Sequence, residues 1–315
     1  MQTEMLSAAS LTRRDALALL TRSSLTCLFD MTPLLRGDAE AVESSVMTTP
    51  AHIRHFTADN PGIMTLQGTN QYIVGKESVV IVDVALSADG NIDGILEQVE
   101  AMGAKKVDKI LLTHIHRDHC GGALALKKRC GAKIGVFQSR AGYLGGEDFH
   151  FRDGERIAFG GGELQVVHTP GHESGHCCFY EAGEQVLFSG DHILGFGTTV
   201  IPPPDGDMAD YMRSLERLLA FKMRLILPGH GPMVGKPEAK VKEYIEHRQM
   251  RERQVLDALR RGKHTIGEIT EMIYVEVPTP LHGIAEYSVQ AHLTKLINEE
   301  RVKKEGRRYL LLRGG

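Results

Sequence analysis

Four side chains able to hold a metal ion or move a proton fall within six residues: His114, His116, Asp118 and His119. They follow directly on an apolar run, Lys109-Ile110-Leu111-Leu112. A strand end is a rigid platform, and the loop beyond it can turn several side chains toward one point. Imidazole nitrogen and carboxylate oxygen suit Zn²⁺ and similar borderline cations. Four such groups crowd a single ion, so two ions sharing the loop is the easier geometry. The alternative, a polar loop with incidental histidines, sits poorly with the HxHxDH spacing. Three more candidates stand far along the chain: His172 in Thr169-Pro170-Gly171-His172, Asp191 in Phe188-Ser189-Gly190-Asp191, and His230 in Leu227-Pro228-Gly229-His230-Gly231. Each follows an apolar run, and each has a glycine before it that permits a sharp turn and close backbone approach. Four strand-end loops delivering metal-type side chains predict one shared site at a sheet edge. Two divalent ions bridged by a water make hydroxide available at neutral pH, which is hydrolase chemistry. Asp118 would orient or deprotonate the nucleophile while holding a metal. Such a site acts on phosphodiesters, thioesters, lactones and lactams alike.

The elements that must carry these loops are legible in outline. Residues 50–85 read as β structure, with Tyr72-Ile73-Val74-Gly75 and Val79-Val80-Ile81-Val82-Asp83 as β-branched runs broken by turns. Asn91 is placed to cap a helix whose apolar residues, Ile92, Ile95, Leu96, Val99 and Met102, recur at helical spacing. A strand at 109–112, a helix opened by Gly121-Gly122, and strands at 133–137, 164–168 and 185–189 follow. A helix at 208–221 and a strand at 224–227 complete a pattern of alternating strands and helices, which is α/β in class. Residues 236–262 read as one long helix with Pro237 in its first turn. Thr265-Ile266-Gly267-Glu268 is a capping-box pattern opening a second helix. Residues 284–298 form a third, and 302–312 a hairpin with a basic turn at Lys303, Lys304, Arg307 and Arg308. Helices followed by a basic hairpin predict a winged-helix-like domain.

The chain has 315 residues and a net charge of −3, long enough for two domains and a large core without disulfides. Its five scattered cysteines form no CxxC pair, which argues against a disulfide framework or a thiolate zinc finger. No apolar run reaches the ~18 residues of a membrane span. From Lys236 onward there are 16 Lys+Arg against 12 Asp+Glu, a net of +4, so the preceding part carries −7. The division expected is a leader at 1–46, a catalytic domain at 47–235 and the winged-helix-like domain at 236–315. Within the leader, Thr12-Arg13-Arg14-Asp15-Ala16-Leu17 resembles a twin-arginine export signal, with Ala39-Glu40-Ala41 as a small-residue cleavage site. Arg22 interrupts its apolar stretch, and the expectation is a cytoplasmic protein, with Met47 as an alternative start and export as the alternative location.

In the combination of these motifs the sequence resembles the metallo-β-lactamase superfamily over residues 50–235. The resemblance implies an αββα sandwich with a two-metal site at one edge. It assigns His114, His116 and His172 to the first metal, Asp118, His119 and His230 to the second, and Asp191 as the bridge between two divalent ions, expected to be zinc. Asp83 matches the early aspartate of the superfamily, although the usual Asp-Thr-Gly reads Asp83-Val84-Ala85 here. Asp191 separates the chain from the drug-hydrolysing lactamases, which generally lack a bridging aspartate. His116 separates it from the flavodiiron oxidoreductases. The 39 positions between Asp191 and His230 are too few for the inserted domain of β-CASP nucleases, and glyoxalase II carries a different C-terminal domain. Across 60–312 the sequence is similar to the β-lactamase-like protein 2 family, through Asn60-Pro61-Gly62-Ile63-Met64-Thr65-Leu66-Gln67-Gly68-Thr69-Asn70, Thr113–Gly122, Phe188–Val200 and Tyr244-Ile245-Glu246-His247-Arg248. Membership in that family implies an endoribonuclease that cleaves single-stranded RNA with a metal-bridging hydroxide as nucleophile. The electropositive C-terminal part suits a polyphosphate substrate, whereas 6% aromatic residues argue against a broad stacking platform. The alternative is hydrolysis of a small-molecule ester or thioester, and lactam hydrolysis is the weaker third. His176 and His192 are placed to orient ligands, His168 is a strand residue, and Cys120 is a packed small side chain.

Overall fold

The computed structural model describes residues 48–86 and 90–312. The leader at 1–46, with its Arg13-Arg14 pair, its Ala39-Glu40-Ala41 stretch and the alternative start Met47, lies outside the described residues.

A first sheet joins six strands in the order β1-β2-β3-β4-β5-β6, which are Ile53–Thr57, Asn70–Gly75, Ser78–Val82, Lys106–Leu111, Lys133–Phe137 and Phe149–Phe151. A second joins five in the order β11-β10-β9-β8-β7: Leu225–Pro228, Val186–Gly190, Cys177–Glu181, Gly162–His168 and Arg156–Phe159. The strands read as unbroken apolar runs because both faces of each sheet are covered. Tyr72, Val74, Val80, Val82 and Leu111 of the first sheet meet Phe179, Phe188, Val166 and Leu227 of the second in a core between the sheets. The alternate residues Ile73, Val79, Ile81 and Ile110 point outward against α1 (Asn91–Ala101) and α3 (Ala123–Cys130). Val167, Cys178, Leu187 and Ile226 of the second sheet point outward against α4 (Met208–Leu218) and the start of α5 (Pro237–Arg260). The result is the expected four-layer αββα sandwich. A single turn, α2 (Arg117–Cys120), lies between the layers' edges in the first histidine loop.

Local chemistry sets the boundaries. Asp207 caps α4 by accepting from Asp210 N at 2.8 Å. The capping box on α6 (Ile266–Ile273) is fully formed between Thr265 and Glu268. Asn91 does not cap α1. Gly90 holds that position in a left-handed conformation, and the Asn91 side chain turns inward to donate to Ala85 O at 3.0 Å and Gln71 Oε1 at 3.2 Å. Strands β6, β7 and β9 carry no strong period of their own, and the sequence pattern does not reveal them.

The C-terminal part builds its own core. The last turns of α5 (Val255, Leu256, Leu259), α6 (Ile269) and α7 (His282–Asn298, with Val289, Leu293, Leu296) close over Val302 and Tyr309 of the hairpin β12–β13 (Val302–Glu305, Arg308–Leu311). The expected basic turn is narrower than its sequence implied. Lys303 and Lys304 lie on β12, with Lys303 Nζ 2.6 Å from Glu305 and Lys304 Nζ 5.6 Å above the Tyr309 ring. Only Arg307 of the four lies in the turn itself.

Glu252 ties α5 to the two elements behind it. Its carboxylate lies 2.7 Å from Lys295 Nζ, 3.1 Å from Arg301 Nη1 and 3.8 Å from His292 Nδ1. Burial would raise its pKa, but the His292 and Lys295 contacts outweigh burial and bring it down to about 2. A depressed carboxylate contributes stability above its unfolded pKa of ~4.3 and loses it as pH falls through the folded value. Glu252→Gln is therefore expected to lower stability at pH 7 by about 1 kcal/mol, after allowance for solvent screening. The deficit should vanish between about pH 4.3 and 2. Urea melts at pH 7 and at about pH 2.5 check this, and a deficit that persists at low pH would contradict it.

Candidate metal centre

The four loops converge. The first leaves β4 of one sheet, and the others leave β8, β10 and β11 of the second, so the site sits where the two sheets' edges meet. His114, His116 and His172 form one group, and Asp118, His119, Asp191 and His230 a second, with the donor atoms of each group within 4.8 Å of one another. All seven predicted residues thus lie in two donor clusters, with Asp191 counted in the second.

The tautomers follow from what lies behind each ring. His172 Nδ1 is 2.6 Å from Val200 O, His230 Nδ1 is 3.2 Å from Gly68 O, and His119 Nδ1 is 2.8 Å from Asp83 Oδ2. Carbonyls and carboxylates only accept, so these nitrogens carry the proton. Thr113 Oγ1 donates to Asp83 Oδ2 at 2.8 Å, and its remaining role toward His114 Nδ1, at 3.0 Å, is as acceptor. In their neutral forms all four rings therefore aim the unprotonated Nε2 inward. His116 aims Nδ1. The inward nitrogens approach closely: His114 to His116 at 3.0 Å, His172 to His116 at 3.0 Å, and His119 to His230 at 3.1 Å. Ring nitrogens at that range must share either a proton or a metal cation between them. Ligands at the usual Zn–N length of ~2.0–2.1 Å in a tetrahedron stand about 3.3 Å apart. The donor set, its spacing and its outer partners fit a metal pair.

Asp191 faces both groups. Its Oδ1 is 3.2 Å from His119 Nε2 and 3.4 Å from His230 Nε2, while Oδ2 is 3.7 Å from His172 Nε2. Oδ1 is buried without a hydrogen-bond partner. Burial alone would raise the Asp191 pKa, yet His230 and His119 hold it well below the carboxylate range. Burial also lowers the pKa of His114, well below its ordinary value, and that of His172, to about 4. For His230 burial is outweighed by Asp191, which raises it to about 9.

Gly171 and Gly229 do what their positions implied. A Cβ on Gly229 would lie 2.6 Å from His119 Cε1 and 2.7 Å from Asp191 Oδ1, and one on Gly171, at φ 137°, would strike the Tyr211 backbone at 2.4 Å. Gly229→Ala is expected to weaken metal binding by at least ~10-fold, as loss of an outer-shell contact does. Equilibrium dialysis checks this, and an unchanged affinity would contradict it.

Asp83 has a defined place despite its altered motif. It is buried at a positive φ of 61°. Oδ1 accepts from Thr113 N at 2.8 Å, and Oδ2 serves both Thr113 Oγ1 and His119. His176 orients Asp191 by accepting from its backbone N at 3.2 Å. His192 has neither ring nitrogen bonded and packs against Tyr211, so only one of the two anticipated orienting histidines acts that way. His168 ends β8 stacked on Phe137, and Cys120 is buried with its thiol donating to Ile115 O at 3.1 Å. Two further residues escape a reading of the sequence. Glu173 accepts from Ile115 N at 3.1 Å and Gly175 N at 2.8 Å while pairing with Arg140, which fixes the HxHxDH loop from below. Asn70 Nδ2 donates to Pro228 O at 2.9 Å and Gly231 O at 2.8 Å, strapping the His230 loop. The only sequence signal for Glu173 is its place directly after His172.

Residues 64–230 match the metallo-beta-lactamase superfamily model, and residues 265–309 match the beta-lactamase associated winged helix domain. The chain belongs to the metallo-β-lactamase superfamily and is a metal-dependent hydrolase. Within it, the chain is 36% identical over 256 residues to the beta-lactamase-like protein 2 homolog of Caenorhabditis elegans, covering 78% of this chain and 84% of that protein. It is 33% identical over 267 residues to an atrochrysone carboxyl ACP thioesterase of Aspergillus chevalieri, covering 82% and 84%. A metallo-beta-lactamase family protein from Thermus thermophilus superposes with a TM-score of 0.72 at 22% identity, over 84% of this chain and 100% of that one. That likeness is one of fold. Among the described residues no helix is long and apolar enough to cross a membrane.

Proposed function

We propose that the chain is a two-zinc hydrolase of acyl thioesters, with residues 47–235 catalytic and residues 236–315 flanking the site. The observation that carries the two-metal reading is Asp191, whose two oxygens face the two donor groups separately. His114, His116 and His172 would hold one ion, Asp118, His119 and His230 the other, and Asp191 both. Two such ions would supply an activated water at neutral pH and polarise the bond under attack. Asp118 is the partly exposed member of its group, with Oδ2 3.2 Å from His230 Nε2, and so is the carboxylate best placed to take a proton from that water.

The thioester reading rests on the Aspergillus chevalieri relative, whose similarity spans both parts of the chain. It is supported by exposed apolar side chains beside the HxHxDH loop. Leu86 packs by Gly121 and is 45% exposed, and Leu124 in the following helix is 44% exposed. Such surface suits an acyl chain. Cleavage of single-stranded RNA is the second reading. It is favoured by the net +4 of the C-terminal part and by Arg307 and Arg308, both exposed on the hairpin. It is weakened by the engagement of Lys303 and Lys304 within that hairpin. The four described cysteines are free thiols, which suits a reducing cytoplasm.

A side-by-side assay of zinc-loaded protein on S-lactoylglutathione, a longer acyl thioester, a single-stranded RNA and a chromogenic lactam tests the assignment. Thioester turnover at least ~100-fold above the apoprotein is the expected result. RNA cleavage without thioester turnover would replace the first reading with the second.

A further inference from the structure

We infer that Arg248, on α5, is a positioning residue for His172, acting through the backbone of Thr199 and Val200. The inference rests on the metal-centre reading above, and it extends that centre into the C-terminal part of the chain. Arg248 is 3% exposed, its guanidinium carbon 5.3 Å above the Tyr211 ring, and its Nη2 donates to Thr199 O. The next carbonyl, Val200 O, takes the Nδ1–H of His172 at 2.6 Å, and Thr199 Oγ1 lies 3.2 Å from the same nitrogen. One peptide unit therefore separates the α5 contact from the contact that fixes the His172 tautomer.

The segment between Asp191 and Val200 has little regular structure to hold it. Its backbone is instead pinned by side chains of α4 and α5. Tyr211 Oη donates to His192 O at 2.6 Å, and Tyr244 Oη accepts from Leu194 N at 3.0 Å and donates to Gly197 O at 2.6 Å. Arg248 is the last of these pins and the one beside the site. Packing alone does not replace it there, because Thr199, Val200, His247 and Arg248 border a cavity of about 20 Å³, room for one water. A guanidinium is well suited to such a pin, being always charged, long in reach and armed with several donors in a fixed plane. The arrangement makes α5 part of the centre's outer shell. A shift of α5 would move the Val200 carbonyl and free the His172 ring to change tautomer.

The test is ¹⁵N NMR of the histidine side chains in the metal-free full-length protein, together with zinc titration of the same samples. In the wild type, His172 is expected as a single Nδ1–H tautomer. In Arg248→Met it is expected as a mixture, with one of the two zinc ions bound ~10–100-fold more weakly and the other unchanged, the range seen when outer-shell partners are lost. An unchanged His172 tautomer in the variant would overturn the inference, as would a scrambled tautomer with unchanged zinc affinity. If Arg248→Met does not fold, Arg248→Gln, whose amide is too short to reach Thr199 O, is read the same way. The NMR readout needs neither ion nor substrate. Its failure is therefore distinguishable from failure of the hydrolase reading, which the substrate assays decide.

Discussion

Asp191→Ala is expected to abolish hydrolysis of every substrate, with a loss well beyond the ~100-fold that an outer-shell change costs, while the fold persists. Among the described residues of the two donor groups, it is the carboxylate whose oxygens face both. Removing it takes from His119 and His230 the foremost of the anions that raise their pKa values. It also leaves the two metal positions without a shared ligand. The fold should survive because Asp191 sits in a loop after β10 and contributes nothing to the cores on either side of its sheet. Steady-state kinetics and a thermal melt together check the outcome. Near-normal turnover would remove the bridging role, and global unfolding would make Asp191 a structural residue instead.

The second large effect belongs to Asp83→Ala. Three donors converge on that buried carboxylate: Thr113 N, Thr113 Oγ1–H and His119 Nδ1–H. Each buried donor left unpaired costs about 1–3 kcal/mol, so a loss of roughly 3–5 kcal/mol is expected after partial relaxation. At ~2–4 °C per kcal/mol for a chain of this size, the melting temperature should fall by about 10 °C. His119 would also lose the contact that sets its tautomer, and the affinity of its metal position should drop by about 10–100-fold. Asp83→Asn, which retains one acceptor, should fall between the two. A melting temperature within ~2 °C of wild type for Asp83→Ala would contradict this expectation, since at least one unpaired donor must register.

The sequence disclosed the site more fully than the scaffold around it, for physical reasons. Imidazole and carboxylate at HxHxDH spacing have few uses other than metal binding, so His114, His116, Asp118 and His119 were legible from residue type alone. Gly171, Gly190 and Gly229 marked the other loops, because a glycine before a polar residue at a strand end signals tight backbone approach. The division of the seven into two groups was not in the spacing; it came with the family resemblance, and the structure clusters the histidine donors and Asp118 along that division while setting Asp191 with the second group. Glu173 escaped notice because its work is done on backbone amides, Ile115 N and Gly175 N, and no periodicity records such a contact. Asn70 lies 158 residues from the Pro228 carbonyl it holds, a pairing set only by the sheets' packing. Asn91 shows the opposite error. It has a capping side chain at a helix start, but burial beside Gln71 offered it better partners. Lys303 and Lys304 looked like a free basic turn until pairing with Glu305 and stacking on Tyr309 engaged them.

Two cations held between the donor groups are the central requirement, and metal analysis with anomalous diffraction on purified zinc-loaded protein measures them directly. Two ions per chain are expected, one among His114, His116 and His172, the other among Asp118, His119 and His230, with an Asp191 oxygen toward each. A single ion, or ions bound away from these seven side chains in active protein, would contradict it.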